Sequence, residues 1–194
     1  MNIRKLKSFI TSKLKQELPK QLTYHGLHHT LDVLNVCNLY IKRLNIPAKD
    51  AYLLRTASLI HDVGIIWTYN GHEEASVVYA EEILPAMGYS KKDIERISKM
   101  IMATNIPQSP KNILEQIICD ADLDYLGRSD VYPISQTLYK EFLAYKVVKD
   151  EESWDRLQVN FLTKHFYHTE FAKKYRAPKK EIYLQEIKKK WAWE

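Results

Sequence analysis

Glycine and proline are scarce in this chain, five and seven among 194 residues. Sandwiches and small barrels turn their backbone often and draw on both residues to do so, so the scarcity argues against an all-β architecture. Two cysteines, Cys37 and Cys119, are too few for a disulfide framework and lack any Cys-x-x-Cys spacing. A reduced, cytoplasmic protein is the simplest reading. No apolar run approaches the roughly 18–20 residues that a membrane span requires, so no membrane partner is expected. The opening residues, Met1-Asn2-Ile3-Arg4-Lys5-Leu6-Lys7, are amphipathic and contain no uninterrupted apolar stretch of the secretory kind.

What is present is ordinary for a globular domain: 45% hydrophobic and 27% charged residues. The length suits one domain with a sizeable core. The net charge of +5 is unevenly placed: residues 164–194 hold nine Lys/Arg against four Glu, an excess equal to the whole. A basic flank can attract phosphate or nucleic acid. A solvated, Lys-rich helix face explains it at least as well, and nucleic acid stays the lesser reading.

Apolar residues recur at helical spacing almost throughout. Ile3, Leu6, Phe9, Ile10, Leu14 and Leu18 predict a first helix, ended by Pro19. Leu31, Leu34, Cys37, Leu39, Tyr40 and Leu44 predict a second, and residues 48–62 a third that delivers His61-Asp62 just before Gly64. Residues 65–71 read as a loop, with aromatics that could wall a pocket. A fourth helix opens at His72-Glu73-Glu74, the two Glu acting as capping charges in its first turn, and runs to about Met87. Ser90-Lys91-Lys92-Asp93 matches a capping box for a fifth. A sixth covers about 112–126 with Gly127 as its cap; residues 130–149 and 151–167 predict two Tyr/Phe-rich helices, and 179–193 a last one with Pro178 at its start. The expected fold is all-α, a single-domain orthogonal bundle of about eight to nine helices. Its motif-bearing core spans about 22–128, and helices from about 130–194 pack on it. Trp67, Tyr69, Tyr125, Tyr132 and Trp154 are mainly core candidates, with Trp67 or Tyr69 available to stack a base.

Three segments far apart in sequence offer metal ligands, each on or beside an apolar helix. They are His29 with His25 and His28, then His61-Asp62, then Asp120 and Asp122. Imidazole and carboxylate brought together at a core are costly unless something compensates them, and a divalent cation does. A mixed N/O set without thiolate suits Mn, Fe, Mg, Co, Ni or Zn and leaves shell positions for water, the mark of a catalytic metal. Such an ion acidifies water and polarises a phosphoryl oxygen. Taken singly, His29, His61 and Asp122 would each more often be structural, a hydrogen-bonded core His or a helix-terminal Asp; their ordered coincidence carries the argument.

His29-Thr30-Leu31-Asp32-Val33, His61-Asp62-Val63-Gly64 and Asp120-Ala121-Asp122-Leu123-Asp124 together resemble the signature of the HD-domain superfamily of metal-dependent phosphohydrolases. The resemblance covers about residues 22–128. It implies His29, His61, Asp62 and Asp122 as ligands of one metal, and metal-activated water attacking phosphorus. Asp122 is preferred to Asp120 because the family's last ligand usually follows Ala. Asp120 is then a candidate for orienting a ligand or the attacking water.

Tyr24-His25-Gly26-Leu27-His28-His29 is similar to the Tyr-His-x-x-x-His segment of cyclic-nucleotide phosphodiesterases, a branch of the same superfamily, although Gly26 stands where Asn is usual there. The likeness makes His25 a candidate general acid for the leaving oxygen, a role that suits imidazole. The acidic pair of guanosine-tetraphosphate hydrolases is replaced by Ile65-Ile66, and the Lys of cyclic-dinucleotide hydrolases by Ile65. His72, with His28 behind it, is a candidate second metal ligand or substrate contact. Lys164, His165 and Arg176 are candidates for substrate phosphate.

The expected function is hydrolysis of a small phosphorylated substrate, a nucleotide mono- or diester. The alternative is a catalytically weak nucleotide- or metal-sensing module of the same fold. A homodimer is the default assembly on frequency alone.

Overall fold

The computed structural model describes residues 2–193, and no strand occurs among the described residues. They form two compact units. One comprises residues up to 20 and 25–122; the other comprises residues 21–24 and 123–194.

In the first unit, α1 (Ile3–Glu17) starts where the Asn2 side chain accepts the Arg4 and Lys5 amides, and it buries Leu6, Ile10 and Leu14. α2 (Leu27–Arg43) begins directly after Gly26 and buries His29 in its first turn. α3 (Ala48–Ile60) is the central helix, packing on α1, α2, α5 and α6. From Thr56 to Ile60 every residue is buried, as expected of a helix surrounded by others.

α3 ends at Ile60, just before His61, and a tight helical turn, Val63–Ile66, follows and takes in the first two residues of the loop expected over 65–71. α4 (His72–Ile83) is shorter than the sequence suggested; Pro85 converts its tail into a separate turn, Pro85–Met87. α5 (Lys91–Ala103) opens on the expected capping box, with Ser90 Oγ accepting the Asp93 amide and the Asp93 carboxylate accepting the Ser90 amide. α6 (Ile113–Asp122) stops four residues early, since residues 124–127 wind into a tighter turn of their own. Both cysteines are buried and neither forms a disulfide; the Cys119 thiol donates to the Ala103 carbonyl.

The second unit holds that turn (Asp124–Gly127) and α7 (Val131–Ala144), α8 (Glu151–Lys164), α9 (Glu170–Tyr175) and α10 (Ala177–Lys190). The sequence pattern missed α9. Its start is capped by Thr169 Oγ1, which accepts the Ala172 amide. Leu126, Val131, Leu162, Tyr183, Leu184 and Ile187 make its core. Two buried charges are satisfied inside it. The Lys180 ammonium donates to the Leu162 and His165 carbonyls at the end of α8, and the Glu141 carboxylate accepts the Tyr24 amide at 2.8 Å. Trp154 and Tyr125 lie in the core, as expected; Tyr132 is half exposed and Trp67, in the first unit, is too, which corrects their assignment as core residues.

Candidate metal centre

Four side chains of the first unit converge. His29 comes from the first turn of α2, His61 and Asp62 from the residues just past α3, and Asp122 from the last position of α6. One ligand atom from each lies within 4.8 Å of all the others. The two imidazole Nε2 atoms are 3.4 Å apart. Asp62 Oδ2 is 3.2 Å from each of them, and Asp122 Oδ1 is 2.9 Å from His29 Nε2 and 3.5 Å from His61 Nε2.

These separations fit a common ion. Metal–ligand bonds of about 2.0–2.2 Å put neighbouring donor atoms roughly 3.0–3.5 Å apart. A second observation agrees: Asp62 Oδ2 is buried and accepts no well-formed hydrogen bond, despite two imidazole nitrogens at 3.2 Å. Its lone pairs face the centre of the group. The rings are turned the same way. His61 Nδ1 lies 3.1 Å from the Ser58 carbonyl, which can only accept, so Nδ1 carries a proton and Nε2 is the nitrogen left to serve an ion. The donor set is all N and O, which suits Mn, Fe, Mg, Co, Ni or Zn without choosing among them.

Without a cation the four groups compensate one another. Burial alone would lower the His29 pKa, but the Asp122 and Asp62 carboxylates outweigh it and hold the ring up at about 9. His61 is likewise raised, with Asp62 the main opponent of its burial. Asp122 is held down at about 2 despite its burial, by His29 and His61.

The family model of the HD domain matches residues 26–124, just over half of the chain. The chain belongs to the HD-domain family. That is the family of metal-dependent phosphohydrolases which its motifs resemble, and the hydrolase class follows from membership. No curated protein matches the chain significantly. Two solved structures share the fold of this HD-domain protein at 20% identity. One is a predicted HD superfamily hydrolase from an uncultured Thermotogales bacterium, matched over 97% of this chain and 91% of that one with a TM-score of 0.62. The other is Bacillus subtilis YpgQ in complex with ADP, matched over 98% and 97% with a TM-score of 0.63. No helix among the described residues is long and apolar enough to cross a membrane.

Around the four ligands, this HD domain gathers some of the remaining candidates and leaves others elsewhere. His72, at the start of α4, has Nε2 3.6 Å from Asp62 Oδ1 and 3.5 Å from Glu73 Oε1. Its Nδ1 donates to the Tyr69 carbonyl. Burial pulls its pKa down, yet Asp62 raises it to about 9. The half-buried His25 ring lies 5.4 Å from His72, 6.1 Å from His29 and 6.2 Å from Tyr69, centroid to centroid.

His28, one residue from His29 and so about 100° around α2, is exposed. Asp120 is completely buried and stands outside the four-atom group. Lys164, His165 and Arg176 belong to the second unit. There Lys164 is exposed, His165 stacks on Phe161 and meets Tyr167 edge-on, and Arg176 Nε donates to the buried Asp124 carboxylate at 2.8 Å.

Sequence reasoning overlooked Glu73 as a neighbour of His72. Glu73 does stand in the first turn of α4, as expected of a capping charge, but it is also buried, only 9% exposed. Ser58 and Ser76 were also missed; neither carries a motif signal of its own.

Proposed function

We propose that this HD domain hydrolyses a phosphate ester of a nucleotide, using one tightly held divalent ion. The convergence of two Nε2 atoms and two carboxylate oxygens, one of them buried without a hydrogen bond, carries the reading. His29, His61, Asp62 and Asp122 would hold the ion. When bound, it supplies a Lewis acid for a phosphoryl oxygen and lowers the pKa of a water.

The chain's own residues do the rest. The Ser58 carbonyl keeps His61 in the tautomer that presents Nε2. His25, half-buried beside the group, protonates the leaving oxygen. His72 lies against Asp62 and is assigned to substrate phosphate or to a weaker second ion. Asp120 has no exposed surface, so its part is to orient neighbouring groups rather than to touch substrate. Tyr69 offers a half-buried ring beside His25 against which a base can lie. The similar fold of YpgQ, solved with ADP, supports a nucleotide as the class of substrate.

The test is a panel of nucleoside mono- and diesters with dialysed protein, with and without Mn, Co, Ni or Mg. Turnover is expected only with metal, and Asp62→Ala is expected to remove both turnover and tight metal binding. Metal-independent turnover, or none on any phosphoester, would refute the reading. Tight nucleotide binding without turnover would instead favour a sensing module.

A further inference from the structure

We propose that Ser76 is a positioning residue that sets His72 against Asp62; the inference rests on the reading above, in which His72 serves the metal or the substrate. Ser76 is completely buried, one helical turn beyond His72 on the same helix. Its Oγ accepts the Gly64 amide at 2.8 Å. Gly64 is two residues past Asp62, in the turn that follows α3.

The two backbones meet here closely. A Cβ on Gly64 would lie 2.1 Å from the His72 carbonyl oxygen, 2.6 Å from the Ser76 nitrogen and 2.7 Å from Ala75 Cβ. Only a residue without a side chain permits this approach, and only Ser76, among the residues at that contact, supplies a side-chain acceptor to the amide it buries. A buried amide left without a partner is costly, so the hydroxyl selects one register of α4 against the turn. The other end of the segment is closed by His72 Nδ1 donating to the Tyr69 carbonyl. Between these two bonds the segment is a short closed loop. Asp62 lies at one end and His72 at the other, with 3.6 Å between Oδ1 and Nε2.

A double-mutant cycle tests this. Ser76→Ala and His72→Ala are made singly and together, with Ser76→Cys as the conservative variant. Each is assayed for kcat and KM on the best nucleotide of the panel, and for Mn2+ affinity by titration calorimetry. Ser76→Ala is expected to lower kcat/KM about tenfold while Mn2+ affinity stays within about twofold, and Ser76→Cys to recover part of the loss. The double variant is expected to be no slower than His72→Ala alone, because Ser76 acts through that ring. A double variant slower than His72→Ala by the full factor of Ser76→Ala overturns the proposal. So does a Ser76→Ala protein that melts earlier but keeps its kcat/KM.

If the unaltered protein hydrolyses no phosphoester, the functional reading has failed, and the cycle is read on urea unfolding of the metal-free proteins. There the same non-additivity is expected through the His72–Asp62 pair, and strictly additive losses overturn the proposal.

Discussion

Metal binding at this centre is expected to release protons, because the ligands neutralise one another when no ion is present. Burial, the largest single influence on both rings, pulls the pKa of His29 and His61 down. The two carboxylates outweigh it and leave His29 at about 9 and His61 well above its ordinary value. At pH 7 His29 therefore carries its second proton, and Nε2 becomes a ligand only when that proton leaves. His29 alone thus weakens apparent affinity by roughly two orders of magnitude at pH 7 relative to pH well above 9.

Calorimetric titration of Mn2+ in buffers of different ionisation enthalpy counts the protons; between about one and two are expected per ion at pH 7. The logarithm of the affinity is expected to climb with pH between about 6.5 and 9 with a slope in the same range. The metal-free protein carries the converse dependence. His29 and His72, raised from 6.5 to about 9, contribute stability that is fully present below about pH 6.5 and is lost as pH rises through about 9. Asp122, lowered from 3.8 to about 2, contributes above about 3.8, and that part is lost as pH falls through about 2. The metal-free Tm is thus expected to decline from pH 6.5 to 9 while that of the loaded protein stays level. Affinity independent of pH, with no proton released, would refute the assignment of these imidazoles as ligands.

Two further outcomes follow from packing. Gly64→Ala places a Cβ 2.1 Å from the His72 carbonyl oxygen; overpacking and loss of the Gly64–Ser76 bond together are expected to cost about 3–5 kcal/mol, read as a Tm lower by about 6–20 °C. An unchanged Tm would mean that α4 and the turn are not in contact. Ser90→Ala removes the hydroxyl of the α5 capping box and is expected to cost about 1 kcal/mol, a Tm shift of about 2–4 °C, with turnover unaffected; a large loss of turnover would show that α5 reaches the site.

Much of this architecture can be read along the chain because its signals are local. The Ser90–Asp93 box starts α5 where it was expected, and Pro19 closes off α1. Helix ends without a breaker were harder. α6 stops at Asp122 although no Gly or Pro occurs before Gly127, because Leu123 leaves helical geometry and the next residues tighten. α9 hid behind the same weakness, and Thr169 was its single cue.

The four ligand candidates were found through their order along the chain, a one-dimensional signal. What encloses them was not. That Glu73 is buried beside His72, and that Ser76 bonds Gly64, both follow from how closely α4 approaches the turn. Nothing in the neighbours of Glu73 or Ser76 in sequence announces that distance.

One bond described above shows a helix end serving as a chemical group. The oxygen that steadies the His61 ring belongs to Ser58, among the last four carbonyls of α3, which a helix leaves without amide partners of its own. Had α3 continued for another turn, a backbone amide would have competed with the imidazole for that oxygen, and the ring would have been held less firmly in one tautomer. Where the helix breaks off is therefore part of how this imidazole is made ready for its task, and changes that lengthen α3 would loosen His61 without replacing a single atom of it.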